Sequence, residues 1–170
     1  MSTPATPVAP PKPRPTLLCR IRTAYNAFQH GSAALQSPFL LLVRLYWGWQ
    51  FADTGWGKLH NLPHVTAFFA SLHIPLPGPT ALFVSLLEFV GGILMALGLG
   101  TRIIGFLLAV DMFVAYLTTD IAALATILSN PDNFYNDAAY TFLIASLIVF
   151  IFGAGRFSLD YWVFRRNRKS

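Results

Sequence analysis

Residues 80–119 read TALFVSLLEFVGGILMALGLGTRIIGFLLAVDMFVAYLTT, and their pattern decides the fold. Two apolar runs lie in this stretch, one from about Thr80 to Leu99 and one from about Ile103 to Thr119. Each is near the ~20 residues that span ~30 Å of hydrocarbon. The glycines Gly98 and Gly100 between them suit a very tight turn. No period-two alternation interrupts either run, so both are expected as membrane-crossing helices.

Working outward, a third apolar segment runs from about Pro38 to Gly57 and a fourth from about Ala138 to Phe152. Asn130-Pro131-Asp132 closes the helix that starts near Ile103, which has room to run on through Leu128. Between the Pro38–Gly57 and Thr80–Leu99 segments, Val65, Phe68, Phe69 and Leu72 share one helical face. That stretch reads as an interfacial helix, ended by Ile74-Pro75-Leu76-Pro77-Gly78-Pro79. Residues 17–29 form another amphipathic helix, with Leu17, Leu18, Ile21, Tyr25 and Phe28 opposite Arg20, Arg22, Asn26 and Gln29. The fold expected is all-α, an integral membrane four-helix bundle with short interfacial amphipathic helices. Its parts are a disordered Pro-rich tail (1–16), the amphipathic helix (17–36), the four-span domain (37–162) and a basic tail (163–170). Six of the twelve prolines lie in the first fifteen residues. No continuous apolar core follows the charges of that tail, which argues against a signal peptide.

Composition agrees. The 170 residues are 55% hydrophobic, 15% aromatic and only 11% charged, with a mean hydropathy of +0.54. Globular chains usually carry about a quarter charged residues, so a water-facing surface cannot be built here. An ordinary soluble enzyme, a nucleic-acid-binding domain and a disordered protein are excluded. The single cysteine, Cys19, cannot form an intramolecular disulfide, a paired-thiol redox motif or a cysteine cluster. Any redox role therefore needs a quinone, a borrowed cofactor or a partner subunit, and no intrinsic cofactor is expected. Basic residues set the orientation. Lys12, Arg14, Arg20, Arg22, Arg102, Arg165, Arg166, Arg168 and Lys169 fall on one side, whereas Lys58 faces Asp120, Asp132 and Asp137 on the other. Both termini are expected in the cytoplasm, with the chain in the inner membrane of the cell.

The functional candidates are charges that fall within spans, where ionised groups cost about 3 kcal/mol on insertion scales. Arg44 lies about 9 Å in from its helix end, Glu88 about 12 Å and Asp111 about 15 Å. Arg44, Gly48, Phe51, Gly55 and Lys58 share one helical face, as do Ser85, Glu88, Gly92 and Ala96. If the Pro38–Gly57 and Thr80–Leu99 spans are neighbours, Arg44 can meet Glu88, with Asp111 balanced by Lys58 or by a proton. Such a cluster, with Arg44, Glu88 and Asp111 as catalytic candidates and Arg44, Trp47, Lys58 and Glu88 as ligand-binding ones, could serve a quinone head group. The same pairs could instead only set helix register. Asp53, Lys58 and Asp137 lie near headgroup water, where long side chains snorkel. His60, His64 and His73 fall outside the spans, with Pro63 between the first two, and no metal site is expected.

Five elements together resemble the DoxX family of small four-helix membrane proteins. They are Arg44-Leu45-Tyr46-Trp47-Gly48, Gly55-Trp56-Gly57-Lys58-Leu59, Leu87-Glu88-Phe89-Val90-Gly91-Gly92, Gly98-Leu99-Gly100-Thr101-Arg102 and Gly155-Arg156-Phe157-Ser158-Leu159-Asp160. The resemblance covers roughly residues 38–162. It implies Arg44, Lys58, Glu88, Arg102 and Asp160 as family-type positions, with Gly48, Gly91, Gly92 and Gly98 as packing glycines. Where the family often has a glutamate near the start of the fourth span, this chain has Asp137. The family includes a small membrane subunit of a thiosulfate:quinone oxidoreductase and helpers of thiol or quinone stress responses. The resemblance therefore implies a redox accessory or quinone-interacting subunit with a soluble or membrane partner. Two other readings stay open: a scaffold that docks soluble enzymes, and a small proton-coupled transporter. The bilayer is a partner in every case, a homo-oligomer is compatible with each, and nucleic acid is not expected.

Overall fold

The computed structural model describes residues 17–119, 121 and 138–167. The Pro-rich tail, the Asn130-Pro131-Asp132 turn, Asp120, Asp132, Asp137, Arg168 and Lys169 lie outside the described residues. Among those described, the regular elements are helices: α1 (Leu17–His60), α2 (Leu62–Ser71), α3 (Pro77–Leu97), α4 (Thr101–Thr119), α5 (Ala138–Phe152) and α6 (Leu159–Asn167).

The amphipathic stretch and the first apolar segment are continuous in α1, which runs through Pro38 without a break. Proline there removes one backbone donor, a loss that membrane helices tolerate. The chain divides into two compact units after Leu35. In the first, Tyr25 and Phe28 are exposed and Gln29 Nε2 donates to the Tyr25 hydroxyl at 2.9 Å. The second unit runs from Gln36 onward.

Among the described residues, two helices, α3 with 21 residues and α4 with 19, are long and apolar enough to cross a bilayer, and α5 is a shorter apolar helix of 15. Their outward faces carry Phe83, Ile103, Phe113 and Ile151, all exposed. Apolar side chains exposed on all three of these helices suit a chain whose solvent is lipid. The fold is that of an all-α membrane protein.

Lipid tails are as apolar as leucine, so helices there associate through close packing rather than hydrophobic exclusion. Glycine makes that possible between α1 and α3. A Cβ on Gly55 would stand 2.8 Å from Phe89 Cα and Ser85 O, and one on Gly48 would stand 2.7 Å from Gly92 O. Gly105 plays the same part between α4 and α5, where a Cβ would meet Phe150 N at 2.9 Å. Aromatic edges join α1 to α5, with the Phe51 and Phe142 rings 4.6 Å apart. Helices α1, α3, α4 and α5 thus share one core of Phe51, Met95, Leu108, Met112 and Val149.

Candidate functional site

Lys58 and Glu88 form an ion pair, with Nζ 2.6 Å from Oε1. The pairing follows from helix register. Gly55 of α1 packs against Phe89 of α3, so Glu88 lies one turn or less from Lys58. The Glu88 side chain is 2% exposed and that of Lys58 is 35% exposed, so the bridge runs from the core to its rim. Asp111 of α4 completes the group, within hydrogen-bonding reach of Glu88 and close enough to feel the Lys58 charge. Glu88 Oε2 and Asp111 Oδ2 are buried and have no hydrogen-bond partner among the described residues.

The three charged groups line a cavity of about 610 Å³. Its other walls are largely apolar: Val65, Phe68, Phe69 and Leu72 from α2 and its end, Val84 from α3, and Met112 and Val114 from α4. The face read as the apolar side of an interfacial helix therefore roofs the charged group. His64 and Thr118 stand at its polar margin. Two residues of the connector beside it, His73 (φ 58°) and Leu76 (φ 51°), adopt left-handed backbone that side chains with a Cβ seldom take.

Arg44 does not meet Glu88. It lies about 16 Å along α1 from the Gly55 level, beyond the reach of its side chain. Its guanidinium turns the other way, where Nη2 donates to Phe157 O at 2.5 Å in the segment that follows α5. Arg44 is fully buried, with Nε and Nη1 lacking hydrogen-bond partners among the described residues. Its guanidinium presses on Gly98, where α3 ends with φ +73° and the Gly98 N–H bonds back to Leu94 O at 2.9 Å. Asp160 supplies the nearby negative charge. Its Oδ1 accepts from Gly100 N at 2.8 Å, and its Oδ2 accepts from Thr101 N at 2.9 Å and Thr101 Oγ1 at 2.8 Å. A carboxylate from a remote segment thus caps the start of α4, where unpaired amides and the helix dipole favour negative charge. Burial alone would push the Asp160 carboxyl up. The Thr101 and Gly100 bonds, with Arg44 nearby, outweigh that and hold it below the usual carboxylate value.

The expected single cluster is therefore two. Lys58, Glu88 and Asp111 come together, Arg44 joins Asp160 at the other end, and Trp47 joins neither. Trp47 packs edge-on against Tyr46 and Phe142, each ring 5.1 Å away, as part of the core wall. Trp49 and Trp56 instead line a separate apolar groove of about 370 Å³ with Asp53 at its side. The sequence reading missed Asp160 as a cap for α4 and α2 as the roof of the cavity. The first leaves no local signal, because cap and helix are far apart in the chain. The second was visible as the Val65/Phe68/Phe69/Leu72 face, whose destination only packing decides.

Comparison with known proteins points the same way as the motifs. The family model DoxX matches residues 39–121. The Bacillus subtilis (strain 168) protein named "Putative oxidoreductase CatD" is 30% identical over 128 residues, covering 75% of this chain and 89% of its own. No solved structure matches the chain significantly.

Proposed function

The chain belongs to the DoxX family, and from that premise we propose that it is a membrane redox accessory whose Lys58–Glu88–Asp111 cavity holds the head group of a lipophilic quinone. The observation that carries this reading is a largely apolar cavity of about 610 Å³ on which one cation and two carboxyl groups converge. Binding sites for small apolar ligands have this make-up, a hydrophobic lining with a few converging polar groups. The name of the Bacillus subtilis relative, an oxidoreductase, supports the redox class.

A bound quinone would supply redox chemistry that couples electrons to protons. The chain's own residues do the rest. Lys58 Nζ, with hydrogens to spare beyond its bond to Glu88, donates to a head-group oxygen. Glu88 and Asp111 accept from a hydroxyl or hold a proton between their facing oxygens. Phe68, Phe69 and Leu72 keep water from the charged group and contact the ring. Electrons come from a soluble or membrane partner, since the lone cysteine provides no dithiol route. We place each of α1, α3, α4 and α5 across the inner membrane with both termini in the cytoplasm. The concentration of lysine and arginine on the side of the termini supports that orientation.

The test is to extract the protein gently from its own membranes and identify bound quinone by mass spectrometry of the organic extract. A near-stoichiometric quinone that is lost in Glu88→Gln is the expected result. A protein that carries only phospholipid and takes up no added quinone sinks the reading. A co-purifying enzyme without quinone would favour the scaffold instead.

A further inference from the structure

The outward face of α1 carries a regular seam. Phe39, Leu42, Tyr46, Trp49, Asp53 and Trp56 recur at alternating steps of three and four residues, and all six are exposed. They stand on the back of the helix from Arg44, Gly48, Phe51 and Gly55, which are buried. Lipid suffices to cover the apolar members of the seam, but not Asp53. Its carboxyl lies about 10 Å inside the end of α1 at His60, on a side chain too short to snorkel. Among the described residues no hydrogen bond or ion pair engages Asp53 or the Trp49 indole N–H. Beside both runs the groove of about 370 Å³, with the small residues Gly48, Ala52 and Ala96 in its lining. What fills that groove must bring apolar bulk and also a donor for Asp53. An acyl chain brings no donor. The seam itself brings one, the Trp49 indole, which is 70% exposed and one turn from Asp53. Two copies in one membrane share their orientation, so equivalent seams meet as parallel helices with each residue level with its counterpart. Alternating steps of three and four are what such a pair requires, and a single polar residue among them fixes register and pairing. Side chains on a helix lean toward its N-terminus, which carries Asp53 toward the Trp49 level. We infer that this chain forms a homodimer through α1, in which the partner's Trp49 enters the groove and its indole N–H donates to Asp53. The two-fold axis makes that contact twice. The groove shares no lining residue with the Lys58 cavity, so dimer and quinone site stand or fail separately.

The experiment places the full chain in liposomes, labelled at its C-terminus with a donor or an acceptor fluorophore, and follows energy transfer as added lipid dilutes it. A monomer–dimer equilibrium is expected. Trp49→Phe keeps an aromatic ring but loses the N–H, and Asp53→Leu removes the acceptor. Each is expected to weaken the dimer at least about tenfold, the size of effect of a hydrogen bond to a charged group. The double variant should be little weaker than the weaker single one, since both remove the same bond. Asp53→Asn keeps an acceptor oxygen and should stay within about threefold of the unaltered chain. Trp49→Phe carries the test if Asp53→Leu fails to insert. Disulfide trapping in a Cys19→Ser background maps the face: Leu42→Cys on the seam is expected to cross-link to its counterpart, and Phe113→Cys on the outward face of α4 is not. Monomers at every density, which leave the groove to lipid, overturn the inference. So does a dimer that either single variant leaves as tight as before, or trapping through Phe113→Cys instead of Leu42→Cys.

Discussion

At the Gly98 end of the core both Asp160 oxygens have donors, whereas at the Lys58 end two buried carboxylate oxygens have none among the described residues. The first end joins three separate stretches of chain. Arg44 of α1, the Gly98–Thr101 turn and the Phe157–Asp160 segment touch there. Ser158 adds a local cap, accepting from Tyr161 N at 3.1 Å and donating to Gly155 O at 2.9 Å. The second end opens around its charges and is roofed by α2, a helix with no fully buried residue. Charge inside a membrane protein is expensive in either place. One end ties three stretches of chain together through the Asp160 bonds and the Arg44 bond to Phe157 O, although Arg44 Nε and Nη1 have no partner among the described residues. The other sets Lys58, Glu88 and Asp111 in the wall of a cavity of about 610 Å³. The family resemblance picks out Arg44 and Asp160 at one end and Lys58 and Glu88 at the other, and Asp111 at neither.

The largest effect that can break this contrast is expected from Gly98→Ala. A Cβ there meets the Arg44 guanidinium and stands 2.8 Å from Ser158 Cβ, on backbone that is left-handed. Loss of about 3 kcal/mol or more is expected in an SDS unfolding titration, from strain of about 1–2 kcal/mol plus the clash. A loss below about 1 kcal/mol would show that this end yields easily and is no rigid joint.

Next in size is Lys58→Met, which strands the Glu88 carboxylate in the core. About 2 kcal/mol is expected, less than for a fully buried pair because Lys58 is partly exposed. The double variant Lys58→Met/Glu88→Met removes both partners and should recover most of that loss in the same titration. If it recovers none, the pair is as structural as the Arg44 end and the contrast fails.

The smallest effect sharpens the comparison by pH. Asp160→Asn should cost about 1 kcal/mol at neutral pH, as for a lost helix cap. The folded-state pKa of Asp160 is depressed, so its contribution is complete above the ordinary carboxylate value of about 3.9. It fades as the pH falls through the lower folded value. Thermal unfolding in detergent should therefore show the gap between the two proteins narrowing below about pH 4. A gap that is constant from pH 7 to pH 3 would mean that the Asp160 charge contributes nothing.

The inward faces were legible because helical phase is local. Arg44, Gly48, Phe51 and Gly55 share a stripe in the sequence, and all four are buried. Ser85, Glu88 and Gly92 repeat that agreement on α3. Partner choice was not legible. Depth alone allowed Arg44 to reach Glu88, but the close approach of Gly55 to Phe89 brings Lys58 to that acid instead. It also leaves Arg44 among groups from a segment more than a hundred residues later in the chain.

By itself the sequence determined the solvent, the helices and the faces they turn inward, because hydropathy and the 3.6-residue period act over one or two turns. It also determined which charges would stand inside the apolar runs. The tertiary structure alone decided how those charges divide. Register between α1 and α3 is set where their backbones touch, at Gly48, Gly55 and Gly92, and the return of the chain after α5 brings Asp160 to the start of α4. Contacts between distant segments depend on that packing, and no local pattern encodes which acid a buried cation will find.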